Sequence, residues 1–204
     1  MEPKYVVVFL WAAWAVSWFA AANWAKATVK SPAGRSEVPY RVLQGFGFAM
    51  LFMSLGQSTS YEPEPGFDAT VLSFLFSQVF EPADWIEWIA VLLAAGGFAF
   101  AWWARVHLGE LWSSSVTRKE GHRVVDSGPY GIVRHPIYTG LLLGAIALVL
   151  VSGRLLAVIG FVVLTAAIFI KARLEERFLR AELGDEAYGA YAKRVPMLVP
   201  GSPV

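Results

Sequence analysis

Five apolar runs divide the chain: residues 5–25, 40–55, 85–106, 137–151 and 155–172. A helix needs roughly 20 apolar residues to cross a bilayer, so each run predicts a membrane helix. The second and fourth are short, which predicts tilting or an end buried in protein. A shorter apolar piece at 71–80 predicts an interfacial or re-entrant helix. Ser152-Gly153-Arg154 makes a tight turn between the last two runs and pairs them as a helical hairpin. Beyond the fifth run the pattern turns amphipathic. Residues 175–183 prolong the helix and Gly184 ends it. A short helix over 185–194 follows, stopped by Pro196.

The charges between the runs alternate. Lys26, Lys30, Arg35 and Arg41 lie between the first and second runs, and five acids without Lys or Arg (Glu62, Glu64, Asp68, Glu81 and Asp84) lie between the second and third. Arg105, Arg118, Lys119, Arg123 and Arg134 follow the third run, and Lys171, Arg173, Arg177, Arg180, Lys193 and Arg194 flank and follow the fifth. Basic loops stay on the cytoplasmic side. The N-terminus is therefore expected outside, and residues 105–136 and 171–204 inside. The expected fold is an all-α integral membrane protein of about five transmembrane helices, with a small cytoplasmic cap built from 107–135 and the tail. Residues 1–106 would form an N-terminal membrane region and residues 107–204 a functional core.

Composition agrees with a membrane class. Of 204 residues 56% are hydrophobic and 16% charged, against about 25% charged in soluble domains. Nine Trp and fourteen Phe suit interfacial belts. There is no basic patch for nucleic acid, and the absence of cysteine excludes disulfides and thiolate chemistry. His107, His122 and His135 have no metal-ligand spacing, so no metal is expected.

Three constellations remain for chemistry. Arg134-His135-Pro136 with Tyr138 stands at the mouth of the fourth run, where ionisable groups are costly and usually functional. Pro136 fits a first helical turn, which puts Arg134 and His135 beside backbone N–H groups suited to a carboxylate. Gly128, Gly131 and Gly140 would allow close backbone approach to a ligand. Glu175-Glu176 could meet a ligand ammonium or ribose hydroxyls; alternatively, Glu176 and Arg180 form an i,i+4 surface pair. Tyr188, Tyr191, Lys193, Arg194, Val195 and Pro196 suit either a lid or an amphipathic tail on the membrane surface. Trp102, Trp103 and Trp112 read as belt or core residues.

Ser127-Gly128-Pro129-Tyr130, Arg134-His135-Pro136-Ile137-Tyr138-Thr139-Gly140, Glu175-Glu176 and the stretch from Gly184 to Pro196 together resemble the isoprenylcysteine carboxyl methyltransferase family, with phospholipid methyltransferases as more distant relatives. The resemblance spans roughly 108–200. It implies S-adenosylmethionine as methyl donor, with S-adenosylhomocysteine as product, at the cytoplasmic membrane interface. It implies a lipid-linked or amphipathic acceptor, foremost a carboxylate on a prenylated cysteine. His135, Pro136, Tyr138, Gly140 and Leu141 would hold the cofactor, with Gly128, Tyr130, Glu176, Tyr188 and Tyr191 around it. Arg134 and one of Glu175 and Glu176 would face the reacting carboxylate. Two further enzyme readings share this layout: amine N-methylation of a phospholipid, and NADPH-dependent reduction of a lipid such as a sterol. The last would use Arg177, Arg180, Lys193 and Arg194 for the 2′-phosphate. A non-catalytic membrane protein with a degenerate pocket is the remaining possibility.

Overall fold

The computed structural model describes residues 1–21, 28–30, 37–56, 67–113, 118–119 and 124–202. Five of its helices fall on the five apolar runs: α1 (Pro3–Ala20), α2 (Val38–Met53), α4 (Asp84–Leu108), α5 (Pro136–Ser152) and α6 (Leu155–Leu183). By length and composition α1, α4 and α6 can cross a membrane. α5 is as apolar but has 17 residues, and α2 has 16. The helices run alternately between two ends. Ser152 at the end of α5 lies beside Ser54 at the end of α2. At the opposite end, Arg105 of α4 donates to the carbonyl of Ala21 after α1 at 2.7 Å.

Indole and phenyl rings fill the centre. Trp11 packs edge-on against Phe48, Phe52 and Phe98, and its Nε1 donates to the carbonyl of Gly144 on α5. α4 and α5 touch backbone to backbone. A Cβ on Gly97 would lie 2.7 Å from the carbonyl oxygen of Gly140, and one on Gly140 would overlap that of Gly97. Small residues permit this approach where lipid supplies no hydrophobic drive between helices.

The all-α class holds, with one small addition and two corrected expectations. The addition is a ribbon in which β1 (Thr28–Lys30) pairs antiparallel with β2 (Arg118–Lys119). This ribbon joins two basic connections at one end of the bundle. The short apolar helix is α3 (Phe67–Leu75), shifted from 71–80. Residues 77–80 instead pair with the α5–α6 turn: Val79 N–H and Phe80 N–H both donate to the Gly153 carbonyl, and Leu155 N–H donates to Ser77. The N–H donors and carbonyl acceptors left open at a tight turn offer an extended chain more than another helical turn would. Arg105, counted above among loop cations, lies inside α4 and is fully buried. Glu62, Glu64, His122, Arg123, Lys26 and Arg35 lie outside the described residues.

The tail follows the expected order. α6 runs to Leu183, Gly184 turns the chain, and α7 (Asp185–Ala192) follows. The described part of 107–135 packs against it, with Val124 on the Tyr188–Tyr191–Val195 cluster.

Candidate functional site

α5 begins at Pro136, with His135 as the residue before the first turn. This start is held by the chain beyond α7. Arg134 N–H donates to the Pro196 carbonyl at 2.8 Å and His135 N–H to Met197 at 3.1 Å, while Thr139 Oγ1 donates to Leu198 at 2.6 Å. The tail therefore lies as a strap along the motif.

Arg134 fastens the strap from inside. Its Nε donates to Glu176 Oε1 at 2.6 Å, and its NH1 donates to the carbonyls of Ala192 (2.9 Å) and Val195. The Arg134 and Glu176 side chains are 8% and 4% exposed. Glu176 also lies 3.4 Å from His135 Nε2 and 4.0 Å from Arg173. The alternative of a surface Glu176–Arg180 pair is therefore not what the structure contains. The Nε and Nη1 of Arg134 are thus engaged by a carboxylate and two carbonyls of its own chain.

The neighbouring glutamate does something else. One residue along a helix is a rotation of about 100°, which carries Glu175 away from Arg134 and onto the wall of a cavity of about 210 Å³. Tyr138 donates its hydroxyl to Glu175 Oε2 at 2.7 Å, and His135 Nδ1 lies 3.9 Å from the same oxygen. The His135 and Tyr138 rings stand parallel, 5.2 Å apart. Pro136, Tyr138, Leu141 and His135 line this cavity, as do Tyr130, Tyr188 and Tyr191; Arg134 reaches its edge. Tyr191 donates to the Tyr130 carbonyl at 2.8 Å. Burial pushes the hydroxyls of Tyr130, Tyr188 and Tyr191 above the usual phenol range, so all three are neutral donors at pH 7.

Gly128 and Gly140 do not line the cavity. Gly140 makes the α4 crossing described above. Gly128 has φ +57°, and a Cβ there would lie 2.8 Å from the His107 ring. Both glycines thus serve packing inside the protein. His107 itself pairs with Ser127 Oγ at 3.0 Å. Gly128→Ala should cost about 1–2 kcal/mol for the left-handed backbone alone. Denaturant unfolding checks this, and adding His107→Ala should relieve the ring contact without restoring that loss.

Sequence reasoning missed several walls. Trp14 and Trp18 of α1 line the cavity with Trp112, Leu179, Leu183 and Lys171. Trp14 and Trp18 stack at 4.9 Å, and Trp18 meets Trp112 edge-on at 5.5 Å. Trp112 is thus a cavity wall, braced by the Arg105 guanidinium 4.3 Å from its ring. Trp103 is half exposed, as a belt residue would be. The available signal was the i,i+4 spacing of Trp14 and Trp18 on one helix face. Lys171, at the end of an apolar run, gave another.

One ligand chemistry has a poor match here. None of Arg177, Arg180, Lys193 and Arg194 lines the cavity, so the cations suited to a 2′-phosphate are turned elsewhere. No group of three or more His, Asp or Glu able to hold a metal occurs among the described residues.

Residues 88–181 match the isoprenylcysteine carboxyl methyltransferase family. Protein-S-isoprenylcysteine O-methyltransferase B of Arabidopsis thaliana is 28% identical over 136 residues, 56% of this chain and 68% of that protein. The cobalt-zinc-cadmium resistance protein CzcN of Cupriavidus metallidurans is 32% identical over 131 residues, 63% of this chain and 57% of that protein. The protein-S-isoprenylcysteine O-methyltransferase of Schizosaccharomyces pombe is 31% identical over 100 residues, 48% of this chain and 42% of that protein. The chain thus spans less than two thirds of the length of the last two.

Proposed function

We propose, from the match of residues 88–181 to the isoprenylcysteine carboxyl methyltransferase family, that the chain is an integral membrane methyltransferase of that kind. It would take the methyl group of S-adenosylmethionine to a lipid-linked acceptor, most directly a carboxylate. The observation that carries this reading is the single cavity shared by the family motif (His135, Pro136, Tyr138), Glu175 and the tyrosines of α7.

The donor set fits such a cofactor. Glu175 presents a carboxylate, 32% exposed, to the cavity, which suits an ammonium or ribose hydroxyls. The faces of Tyr138, Tyr188 and Tyr191 suit a heterocycle and a sulfonium. His135, Tyr138, Leu141 and Glu175 would hold the cofactor, with Tyr188 and Tyr191 covering it. The bound cofactor supplies a methyl carbon already activated by positive sulfur. The protein then has to align acceptor and methyl group and exclude water. A carboxylate acceptor is ionised at pH 7, so no residue need remove a proton. The aromatic wall of Trp14, Trp18 and Trp112 excludes water from the side facing the bundle.

The five helices are read as five crossings with the N-terminus outside. This places the α5 start, the α6 end and the tail at the cytoplasmic interface, where a soluble cofactor arrives from one side and a lipid from the other. The positive-inside distribution supports that orientation. Residues 107–204 carry most of the site, and α1 contributes two walls.

Calorimetry of the purified protein tests the reading. S-adenosylhomocysteine is expected to bind and NADPH is not; binding of neither would end both enzyme readings. His135→Ala should weaken S-adenosylhomocysteine by about 10- to 100-fold, as losing a hydrogen bond to a charged group does. An unchanged Kd would reduce His135 to a residue that only starts the helix.

A further inference from the structure

We propose that α6 and α7 carry a second binding site, for the phosphate headgroup of an anionic membrane phospholipid. The site goes beyond the methyltransferase reading and does not depend on it.

A groove of about 910 Å³ lies across α6 and α7 from the first cavity. Tyr188 and Tyr191 turn one side of α7 to the cavity, while Glu186 and Lys193 turn the opposite side to the groove. Among the described residues the lining carries four cations (Arg134, Arg173, Arg180 and Lys193) and one carboxylate, Glu186. The Arg134 charge is met by Glu176 at 2.6 Å. Arg180 lies 5.8 Å from the centre of the Tyr188 ring and adds only to the field of the groove. The site rests on Arg173 and Lys193. Glu176 is already spent on Arg134, so Arg173, 4.0 Å from its other oxygen and with a side chain 54% exposed, keeps most of its charge toward the groove. Lys193 is exposed at the end of α7.

The position of this charge selects a lipid. Val162, Phe169, Arg173 and Arg180 share one stripe of α6, because spacings of 7, 11 and 18 residues from Val162 return to within about 20° of one line. Val162 and Phe169 are 60% and 45% exposed on a helix apolar enough to cross a membrane. Arg173 lies about 16 Å further along the helix than Val162, close to one leaflet of a hydrocarbon core roughly 30 Å thick. The Arg173 guanidinium stands 5.0 Å from the centre of the Phe169 ring, at the boundary. The stripe is thus apolar for the depth of a leaflet and basic at its edge, the order of acyl chain and phosphate in a phospholipid. Basic side chains beside the cytoplasmic end of a span attract anionic headgroups. The strap is one wall of the groove, through Lys193 and Met197. The Met197 carbonyl accepts from His135 N–H, so a lipid held between α6 and Lys193 braces the segment that holds the motif.

Native mass spectrometry of the detergent-solubilised protein tests the site, with equimolar dioleoylphosphatidylglycerol and dioleoylphosphatidylcholine as probes. The unaltered protein should retain the anionic lipid over the zwitterionic one by at least about tenfold, from two cations at about fivefold each. The double variant Arg173→Ala, Lys193→Ala should lower that ratio at least about fivefold. Lys193→Glu, at an exposed helix end, should lower it too and checks the result with the α6 side chains intact. Arg177→Ala removes an exposed cation of the same helix outside the groove and should leave the ratio within about twofold. Excess sn-glycerol 3-phosphate should not displace the lipid. Equal retention of both lipids by the unaltered protein, an undiminished ratio in the groove variants, or an equal fall in Arg177→Ala overturns the assignment. Displacement by glycerol phosphate overturns it in favour of a soluble phosphate, and a dimer lost only in the groove variants overturns it in favour of a second copy of the chain.

Discussion

Arg134→Ala should destabilise the protein by about 3–5 kcal/mol, the cost of leaving one partner of a buried ion pair alone. The strap should come loose with it. Arg134 holds Glu176 on α6 and the carbonyls of Ala192 and Val195 at the end of α7, so one side chain joins three parts of the site. Denaturant unfolding in detergent measures the first effect. Tryptic cleavage after Lys193 and Arg194 measures the second, and it should be faster in the variant. Arg134→Lys should fail to rescue either, since an ammonium cannot match the three fixed contacts of the guanidinium fork. In the double variant Arg134→Ala, Glu176→Ala, the loss should fall well short of the sum of the single losses, because the two residues share one interaction. The sequence alone suggested another role, orientation of the acceptor carboxylate. That role predicts a different outcome: turnover lost with stability and protease resistance intact.

The distance between these two expectations shows where sequence reading stops. The apolar runs carry the helices because a membrane span must satisfy its backbone internally whatever its neighbours are. Each run is therefore legible by itself, and α1, α2, α4, α5 and α6 fall where the runs do. The motif residues His135, Tyr138 and Glu175 do meet in one cavity. What the chain does not display is the rotation of each helix and the partner each side chain finds. Glu175 and Glu176 are adjacent letters with similar chemistry. Only the phase of α6 sends one to the cavity and the other to Arg134, 42 residues away. Gly128 and Gly140 read as openings for a ligand because a missing Cβ gives room. In the fold, the His107 ring and the Gly97 backbone take that room. The residues missed outright, Trp14, Trp18 and Lys171, lie in apolar runs, where composition already explained them. Their second use depends on α1 and α6 facing one cavity, a tertiary fact that no local pattern carries.

Gly140→Ala should be among the most damaging single-methyl changes at the described residues. The added carbon would overlap the Gly97 carbonyl oxygen and lie 2.9 Å from Ala101 Cβ and 3.1 Å from Ala101 N. The nearest obstacles are backbone, which cannot swing aside as a side chain would, so α4 and α5 must separate. Overpacking of this kind costs about 1–3 kcal/mol. The functional loss should be larger. α5 carries Tyr138 two residues before Gly140 and Leu141 directly after it, while α4 leads into Trp112 on the facing wall. A displacement near 1 Å between reacting groups costs on the order of 10²-fold in rate, so turnover should fall by about that factor in protein that still folds. Gly96→Ala is the matched control. It adds the same methyl to the same helix pair one position from Gly97, where nothing lies within 4 Å. Replacing a mid-helix glycine there should be neutral or stabilising by up to about 1 kcal/mol. Unfolding, S-adenosylhomocysteine affinity and methyl transfer to N-acetyl-S-farnesylcysteine, measured on both variants, separate the steric effect from the helix-propensity effect. If Gly140→Ala matched Gly96→Ala in all three, the close α4–α5 crossing could not be what positions the cavity walls, and the motif would have to be held by the strap alone.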